Sequence, residues 1–416
     1  VKFAIFDRIV ITMKNLFPSW IVALGVMLVL SACTSRTERT LSGVETLLDS
    51  LESRFAPDKR VELWNLSVSH ADGTILLEGE LASSEAYHAV ATSMSERFPG
   101  VTNLVKLLPE EWSGRLVNGL VNNSVAHLRR DPSSKSELVS QALLGTPVRI
   151  LKETDGKVLI QLPDGYLGWV NRSEVQRMEP EALEKYRNMQ KIVFRSQYGF
   201  VYTEPREGSM PVADLVTGCM LPVIAEKEAY HEVEYPDGRR GWVKKSESVP
   251  AGNVFYNDPS GEGVIATARE FHGIPYLWGG ASSKNLDCSG LIANVFFMNG
   301  IQMPRDADQQ SHCGREITTE FNPAGLEEGD LLFFGRKATS EEKESVTHVA
   351  IYMEGGEFIH ASGYRDRVSI NSMDSTQVHF IDTYPEMFVR ATRIIGEASN
   401  GFRPVMENAY YREIIE

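Results

Sequence analysis

The sequence predicts a multidomain α+β protein: a small α+β N-terminal domain, two small β-barrels in tandem, and a C-terminal α+β domain that carries the chemistry. Three observations predict it. At 416 residues the chain exceeds the roughly 250–300 residues at which a single hydrophobic core stops growing. Pro163-Asp164-Gly165-Tyr166-Leu167-Gly168-Trp169-Val170 returns 73 positions later as Pro236-Asp237-Gly238-Arg239-Arg240-Gly241-Trp242-Val243, the mark of a duplicated unit. From Val264 onward the pattern becomes helix, glycine-rich turn, helix and several strands, a stretch of about 140 residues and a normal domain size.

Composition narrows the function classes. The formal net charge is −14, with no long Lys/Arg block and no basic–aromatic stripe, so nucleic acid is not an expected partner. Cys33, Cys219, Cys288 and Cys313 form no CxxC pair and no Cys/His cluster at zinc spacing, and HExxH is absent. No metal or organic cofactor is expected, and a monomer is. Cys219 lies among apolar strand residues and reads as structural; Cys313, beside His312, reads as incidental.

Met13-Lys14-Asn15-Leu16 precedes an apolar run from Ile21 to Leu30 and then Ser31-Ala32-Cys33, the form of an export signal. A run of about ten residues is too short to span a bilayer, which needs about 20. The segment before Met13 reads as upstream sequence. Leu30-Ser31-Ala32-Cys33 resembles the bacterial lipobox, which implies lipid on Cys33 and anchoring to a membrane of the cell envelope.

Residues 33–113 read helix, strand, strand, helix, strand. Leu41, Val44, Leu47, Leu48 and Leu51 recur at helical spacing. Val61-Glu62-Leu63 and Thr74 to Gly79 read as strands, Ser83 and Ser84 as caps of a helix to Arg97, and Asn103 to Leu108 as a strand. Leu77-Glu78-Gly79-Glu80 through Pro99-Gly100-Val101 resembles BON-type domains. The two repeats, 114–178 and 179–250, read as short strands broken by Asp-Gly turns, with Trp169 and Trp242 as core residues closing each barrel. The remaining boundaries are 1–32 for the upstream residues and signal, 251–398 for the last domain and 399–416 for a tail whose Tyr410 and Tyr411 could pack back on it.

The chemistry concentrates in 251–398. Leu291, Ile292, Val295 and Phe296 recur with helical spacing, so a helix starts at Cys288 with Asp287 as N-cap. A thiol in a first helical turn feels the positive end of the dipole, which predicts a lowered pKa. A thiolate catalyst needs a base and an orienting third group. Val346 to Tyr352 alternates as a half-buried strand bearing His348; Glu354-Gly355-Gly356 turns; Glu357 to Ser362 returns with His360. That hairpin brings two imidazoles near each other in the domain that holds Cys288.

Five blocks then resemble the NlpC/P60 family in order and spacing: Tyr276-Leu277-Trp278-Gly279-Gly280 with Asp287-Cys288-Ser289-Gly290-Leu291, Met303-Pro304-Arg305-Asp306-Ala307, Gly329-Asp330-Leu331-Leu332-Phe333-Phe334, Thr347 to Tyr352, and Phe358 to Ser362. The resemblance implies a papain-like fold and hydrolysis of murein stem peptides, commonly at the γ-D-glutamyl–diamino acid bond. It implies Cys288 as nucleophile, His348 as base and His360 as third member. It also implies Tyr276 beside the nucleophile, and a substrate cleft lined by Asp287, Ser289, Arg305 and Asp306. The Tyr276 hydroxyl and the Cys288 backbone N–H are candidate oxyanion donors.

The Asp-Gly-x-x-Gly-Trp-Val signature resembles bacterial SH3-like domains, and two of them ahead of the hydrolase resemble its dipeptidyl-peptidase branch. In that branch the first such domain walls the cleft and recognises a free N-terminal L-Ala. Tyr166 matches the branch's cleft tyrosine, whereas Arg239 and Arg240 hold the duplicate position. A buried ammonium needs a paired carboxylate; Glu137 and Asp287 are the candidates. An endopeptidase on polymeric murein, anchored by its SH3-like domains, and a non-catalytic envelope-binding lipoprotein are the competing readings.

Overall fold

The computed structural model describes residues 19–71, 73–109 and 117–411, with side chains from residue 37 onward. Met13 to Leu16 and the Cys33 side chain, on which the export and lipidation expectations rest, lie outside the described residues. Among the described residues no helix is long and apolar enough to cross a membrane.

The chain divides into two compact units, 1–108 and 109–416. In the first, helix α1 (Ser19–Phe55) precedes strands β1 (Trp64–Ala71) and β2 (Thr74–Leu81), helix α2 (Ser84–Arg97) and strand β3 (Val101–Leu107). The expected strand at 61–63 is instead the turn that leads into β1. Ser83 caps α2 by accepting from the Ala86 N–H at 3.3 Å. The sheet order is β1-β2-β3, antiparallel then parallel across α2. Val44, Leu47 and Leu48 pack on Leu77, Leu81, Val90 and Met94, the apolar faces that the helical and alternating spacings define.

The second unit opens with two barrels whose strands correspond one to one. The first comprises β4 (Asn118–Val121), β5 (Val125–Arg129), β6 (Leu138–Leu143), β7 (Pro147–Thr154), β8 (Lys157–Gln161), β9 (Leu167–Asn171) and β10 (Val175–Met178). After helix α3 (Pro180–Arg187) come β11 (Lys191–Phe194), β12 (Tyr198–Tyr202), β13 (Pro211–Val216), β14 (Met220–Lys227), β15 (Tyr230–Glu234), β16 (Arg240–Lys244) and β17 (Ser248–Pro250). Every strand of the second set starts 73 residues after its counterpart, and the order β10-β4-β7-β8-β9-β5-β6 is repeated as β17-β11-β14-β15-β16-β12-β13. The two tryptophans do not close the barrels. Val170 and Val243 take the inward positions at 1% and 0% exposure, and pleat alternation turns the adjacent Trp169 and Trp242 to half-buried outer sites.

The last part begins with α4 (Ala251–Phe255), α5 (Gly261–Glu270), the short hairpin β18 (Ala281–Ser282) and β19 (Asn285–Leu286), and α6 (Cys288–Met298). Strand β20 (Ile301–Gln302), helix α7 (Ala307–Gln310) and strands β21 (Arg315–Thr318), β22 (Leu331–Arg336), β23 (Ser345–Tyr352), β24 (Glu357–Ser362) and β25 (Arg367–Ser372) follow. Helix α8 (Thr383–Met387), β26 (Phe388–Arg393) and β27 (Arg403–Pro404) complete the described chain. A six-stranded sheet ordered β21-β26-β22-β23-β24-β25 packs against α6. Leu291, Ile292, Val295 and Phe296 are wholly buried against Val349, Ile351, Ile359 and Ala361. That packing presses the first turn of α6 onto the hairpin that bears both histidines. Residues 402–411 are no loose tail: Phe402, Val405, Asn408 and Tyr411 are buried.

Candidate active site

Asp287 caps α6 and fixes Cys288 at its first position. Its Oδ1 accepts from the Gly290 N–H at 2.7 Å, and its Oδ2 from the Gly279 N–H at 2.9 Å. Gly290 lies so close to the 277–280 turn that a Cβ would sit 2.1 Å from the Gly280 carbonyl oxygen. The backbone N–H groups of Val349 and Ser289 bond the Cys288 sulfur, which is 8% exposed. The nucleophile candidate therefore abuts the strand residue next to His348.

The expected low thiol pKa is corrected. Burial, then the Asp287 carboxylate, pushes Cys288 up to about 12, outweighing the two N–H groups and Arg305. His348 is held well below the ordinary imidazole value, first by burial and then by the neighbouring His360. At neutral pH the pair thus rests as thiol and neutral imidazole, a combination in which the histidine still has a lone pair to accept the proton.

The hairpin delivers the imidazoles as sequence spacing predicts. The register Ile351↔Ile359 and Tyr352↔Phe358 sets His360 opposite Ala350, one diagonal step from His348 on the same face. His348 Nε2 and His360 Nδ1 are 2.7 Å apart, and His360 Nε2 lies 2.9 Å from Asn371 Oδ1. Asn371, on the adjacent strand β25, was not singled out from the sequence; it belongs to no histidine or cysteine motif, and its signal is only that it alternates in register with His360. Its Nδ2 donates to the His379 carbonyl at 2.9 Å, which fixes Oδ1 as the acceptor for His360. The proton positions follow: His360 Nε2 donates to Asn371, His360 Nδ1 accepts from His348 Nε2, and His348 Nδ1 is left as the basic nitrogen. Burial lowers the His360 pKa to about 4, against a smaller opposing effect from the Asn371 bond, which keeps this relay neutral.

Tyr276 lies near enough to Cys288 and Asp287 that their charges, after burial, raise its pKa to about 12; its hydroxyl stays protonated and able to donate. Arg305, Asp287 and Ser289, expected to line the cleft, form a buried network instead. Arg305 is 2% exposed, and its Nη2 and Nη1 reach Asp287 Oδ2 and Oδ1 at 2.6 and 3.1 Å. The same guanidinium donates to Ser289 Oγ at 2.9 Å and to Ser140 Oγ of the first barrel at 3.0 Å. Both Asp287 oxygens are occupied by these donors and the backbone, so Arg305 braces the N-cap of α6, and Asp287 is not a free carboxylate for a substrate amine.

Asp306 sits differently. It caps α7, with its N–H bonded to Gln309 Oε1 at 3.0 Å, and it receives the Tyr166 hydroxyl at 3.0 Å. Glu137, immediately before β6, accepts from Trp278 Nε1 at 2.8 Å and pairs with Arg130 at 2.8 Å. Gln141 on β6 accepts from the Ala281 N–H at 2.8 Å. A Cβ at Gly279 (φ +76) would meet the Leu138 carbonyl oxygen at 2.4 Å, so only glycine lets this strand approach. The first barrel is thus seated against the 278–281 loop that precedes β19 and α6. The duplicate turn faces elsewhere: Asp237 binds Asn122 Nδ2 at 2.9 Å and Arg239 donates to the Asn122 carbonyl at 3.2 Å, both within the barrel pair. Cys219 and Cys313 are buried at 2% and 1% exposure, away from these groups.

The NlpC/P60 family signature matches residues 273–382, and the bacterial dipeptidyl-peptidase Sh3 domain matches residues 128–175. The chain is 29% identical over 245 residues to a γ-D-glutamyl-L-lysine dipeptidyl-peptidase of Bacillus subtilis, covering 57% of this chain and 76% of that one. It is 30% identical over 243 residues to the Bacillus cereus protein of the same name, covering 55% and 68%. A dipeptidyl-peptidase 6 from Lysinibacillus sphaericus matches at 28% over 266 residues, covering 62% and 92%. Among solved structures, an NlpC/P60 family protein from Bacillus cereus superposes with a TM-score of 0.57 at 23% identity, over 67% of this chain and 99% of that one, which supports the fold. The chain belongs to the NlpC/P60 family of cysteine peptidases, with a bacterial dipeptidyl-peptidase SH3 domain ahead of its catalytic residues.

Proposed function

We propose that this protein is a cell-wall peptide hydrolase that cleaves the γ-D-glutamyl–diamino acid bond of stem peptides bearing a free N-terminal L-Ala. The observation that carries the reading is the seating of the first barrel on the cleft, through Tyr166 to Asp306 and Glu137 to Trp278. Glu137 of this wall is held by Trp278 and Arg130, and Asp306 of the catalytic domain by Tyr166; a carboxylate is the chemistry a desolvated ammonium requires. An open groove for polymeric murein has no use for such a wall. The curated relatives named dipeptidyl-peptidases support the same choice.

In this mechanism Cys288 loses its proton to His348 Nδ1 as its sulfur attacks the γ-glutamyl carbonyl carbon. The Tyr276 hydroxyl and the Cys288 N–H face the oxyanion; one such donor is worth about 2.7–4 kcal/mol. His348 returns the proton to the departing amine, leaving a thioester. A water deprotonated by the same nitrogen attacks the thioester and releases the L-Ala-γ-D-Glu acid and the thiol. His360 and Asn371 hold His348 in the required tautomer. The domains at 114–178 and 179–250 form the wall and its support, and 251–398 the catalytic domain.

The family acts on the wall, outside the cytoplasm. Lipid on Cys33 would anchor this member to the membrane, and mass spectrometry of the mature N-terminus tests that. The substrate reading is tested by incubating the protein with L-Ala-γ-D-Glu-diaminopimelate, its N-acetylated form and intact sacculi. Cleavage of the free-amine peptide is expected; equal cleavage of the blocked peptide would overturn it.

A further inference from the structure

The last described residues make contacts in three places at once. Arg403 and Pro404 pair with Gln302 and Ile301 as an antiparallel strand, and the Val405 N–H donates to the Gly300 carbonyl at 2.9 Å. Tyr411 packs against Phe255 and Phe297 with tilted rings, centroids 5.6 and 5.7 Å away, and its hydroxyl bonds Thr146 of the first barrel. Between these anchors Asn408, 1% exposed, donates from Nδ2 to the Pro163 carbonyl at 2.8 Å. Its Oδ1 meanwhile accepts from the Tyr410 N–H at 3.1 Å.

Pro163 opens the turn that carries Tyr166. Within it the Gly165 N–H donates to the Leu162 carbonyl and the Leu162 N–H to the Tyr166 carbonyl, each at 2.9 Å. The Tyr166 N–H donates to Asp164 Oδ1 at 2.9 Å. A turn so closed moves as one body, so a hold on Pro163 is a hold on the Tyr166 hydroxyl. A surface pocket of about 90 Å³ adjoins the turn, lined by Pro163, Asp164, Gln302, Arg305 and Tyr411. Asn408 fixes the Pro163 end of the turn beside that pocket.

We propose that residues 402–411 are a strap that tightens the enzyme's hold on the free-amine stem peptide, with Asn408 as a positioning residue that holds the 163–166 turn against Asp306. The inference rests on the free-amine reading above and extends it to a segment that touches no substrate. Asn408→Asp is the discriminating variant: it keeps the acceptor for Tyr410, removes the donor and sets an oxygen against the Pro163 carbonyl.

The test measures KM and kcat on L-Ala-γ-D-Glu-diaminopimelate for the full protein, Asn408→Asp, Tyr166→Phe and the double variant. Loss of a buried hydrogen bond predicts a KM raised by about fivefold or more, with kcat within about twofold. It also predicts a double variant no worse than the weaker single one, because both act on the same contact. Tyr411→Phe, which removes the Thr146 bond alone, gives a smaller shift in KM and serves if Asn408→Asp does not fold. If Tyr166→Phe raises KM while Asn408→Asp and Tyr411→Phe leave it unchanged, or lower only kcat and the melting temperature, the strap is refuted and the substrate reading survives. If Tyr166→Phe itself leaves KM unchanged, both fall.

Discussion

Replacing Asn371 by leucine removes the acceptor that decides which nitrogen of His360 carries its proton. The side chain is 1% exposed and His360 0%, so water does not substitute for the lost oxygen. In the native relay the Asn371 bond at 2.9 Å favours a proton on His360 Nε2, and the 2.7 Å contact then requires one on His348 Nε2. Without it, His360 is better satisfied with its proton on Nδ1, donating to His348 Nε2. His348 then carries its own proton on the nitrogen that should accept from Cys288. A buried donor left unsatisfied costs about 1–3 kcal/mol, so kcat should fall about 5- to 150-fold with little change in KM. The assay is steady-state hydrolysis of the free stem peptide, with thermal unfolding recorded in parallel. Asn371→Asp keeps an acceptor and should retain most activity at alkaline pH. Its carboxylate raises the His360 pKa, so the acid limb of the rate profile moves upward. A folded Asn371→Leu enzyme with wild-type kcat would refute the tautomer argument.

Arg305→Met leaves the Asp287 carboxylate buried without its partner, and should destabilise the fold by about 3–5 kcal/mol, read from urea unfolding; an unchanged midpoint would show that the pair is dispensable. Because burial holds Cys288 near 12, iodoacetamide should label it slowly at pH 7 and faster as pH rises above 9; rapid labelling at pH 6 would mean a resting thiolate–imidazolium pair instead. His360 titrates at about 4 in the folded protein and 6.5 when unfolded, so the unfolded chain binds the extra proton first. Its contribution is whole above pH 6.5 and is lost as pH falls toward 4, about 3 kcal/mol in all; equal urea midpoints at pH 7 and pH 4.5 would contradict this.

Much of this site was legible because its chemistry is local in sequence. A capped helix start at Cys288 and a hairpin with histidines twelve positions apart are spacing arguments, and packing had only to bring the two together. The duplicated barrels were legible for the same reason, since a fixed displacement preserves strand order. What failed depended on surroundings. At Cys288 burial opposes the helix dipole and outweighs it, and a sequence gives no measure of solvent around one sulfur. Trp169 and Trp242 read as core residues in the repeat, whereas the pleat gives that place to Val170 and Val243. Arg305 and Asp287 are 18 positions apart, and nothing in the chain shows that they exhaust each other's hydrogen bonds. Asn371 escaped because its role comes from the strand beside His360, a neighbour in the sheet and not a motif.

The repeated barrels show what duplication frees a protein to do. Both copies keep the same Pro-Asp-Gly bend, yet one bend ends in Tyr166 and reaches Asp306 of the last domain, while the other ends in Arg239 and bonds back to Asn122 of its twin. On the proposed free-amine reading, altering what the enzyme discriminates calls for changing the Tyr166 bend, and Cys288, His348, His360 and Asn371 can stay as they are.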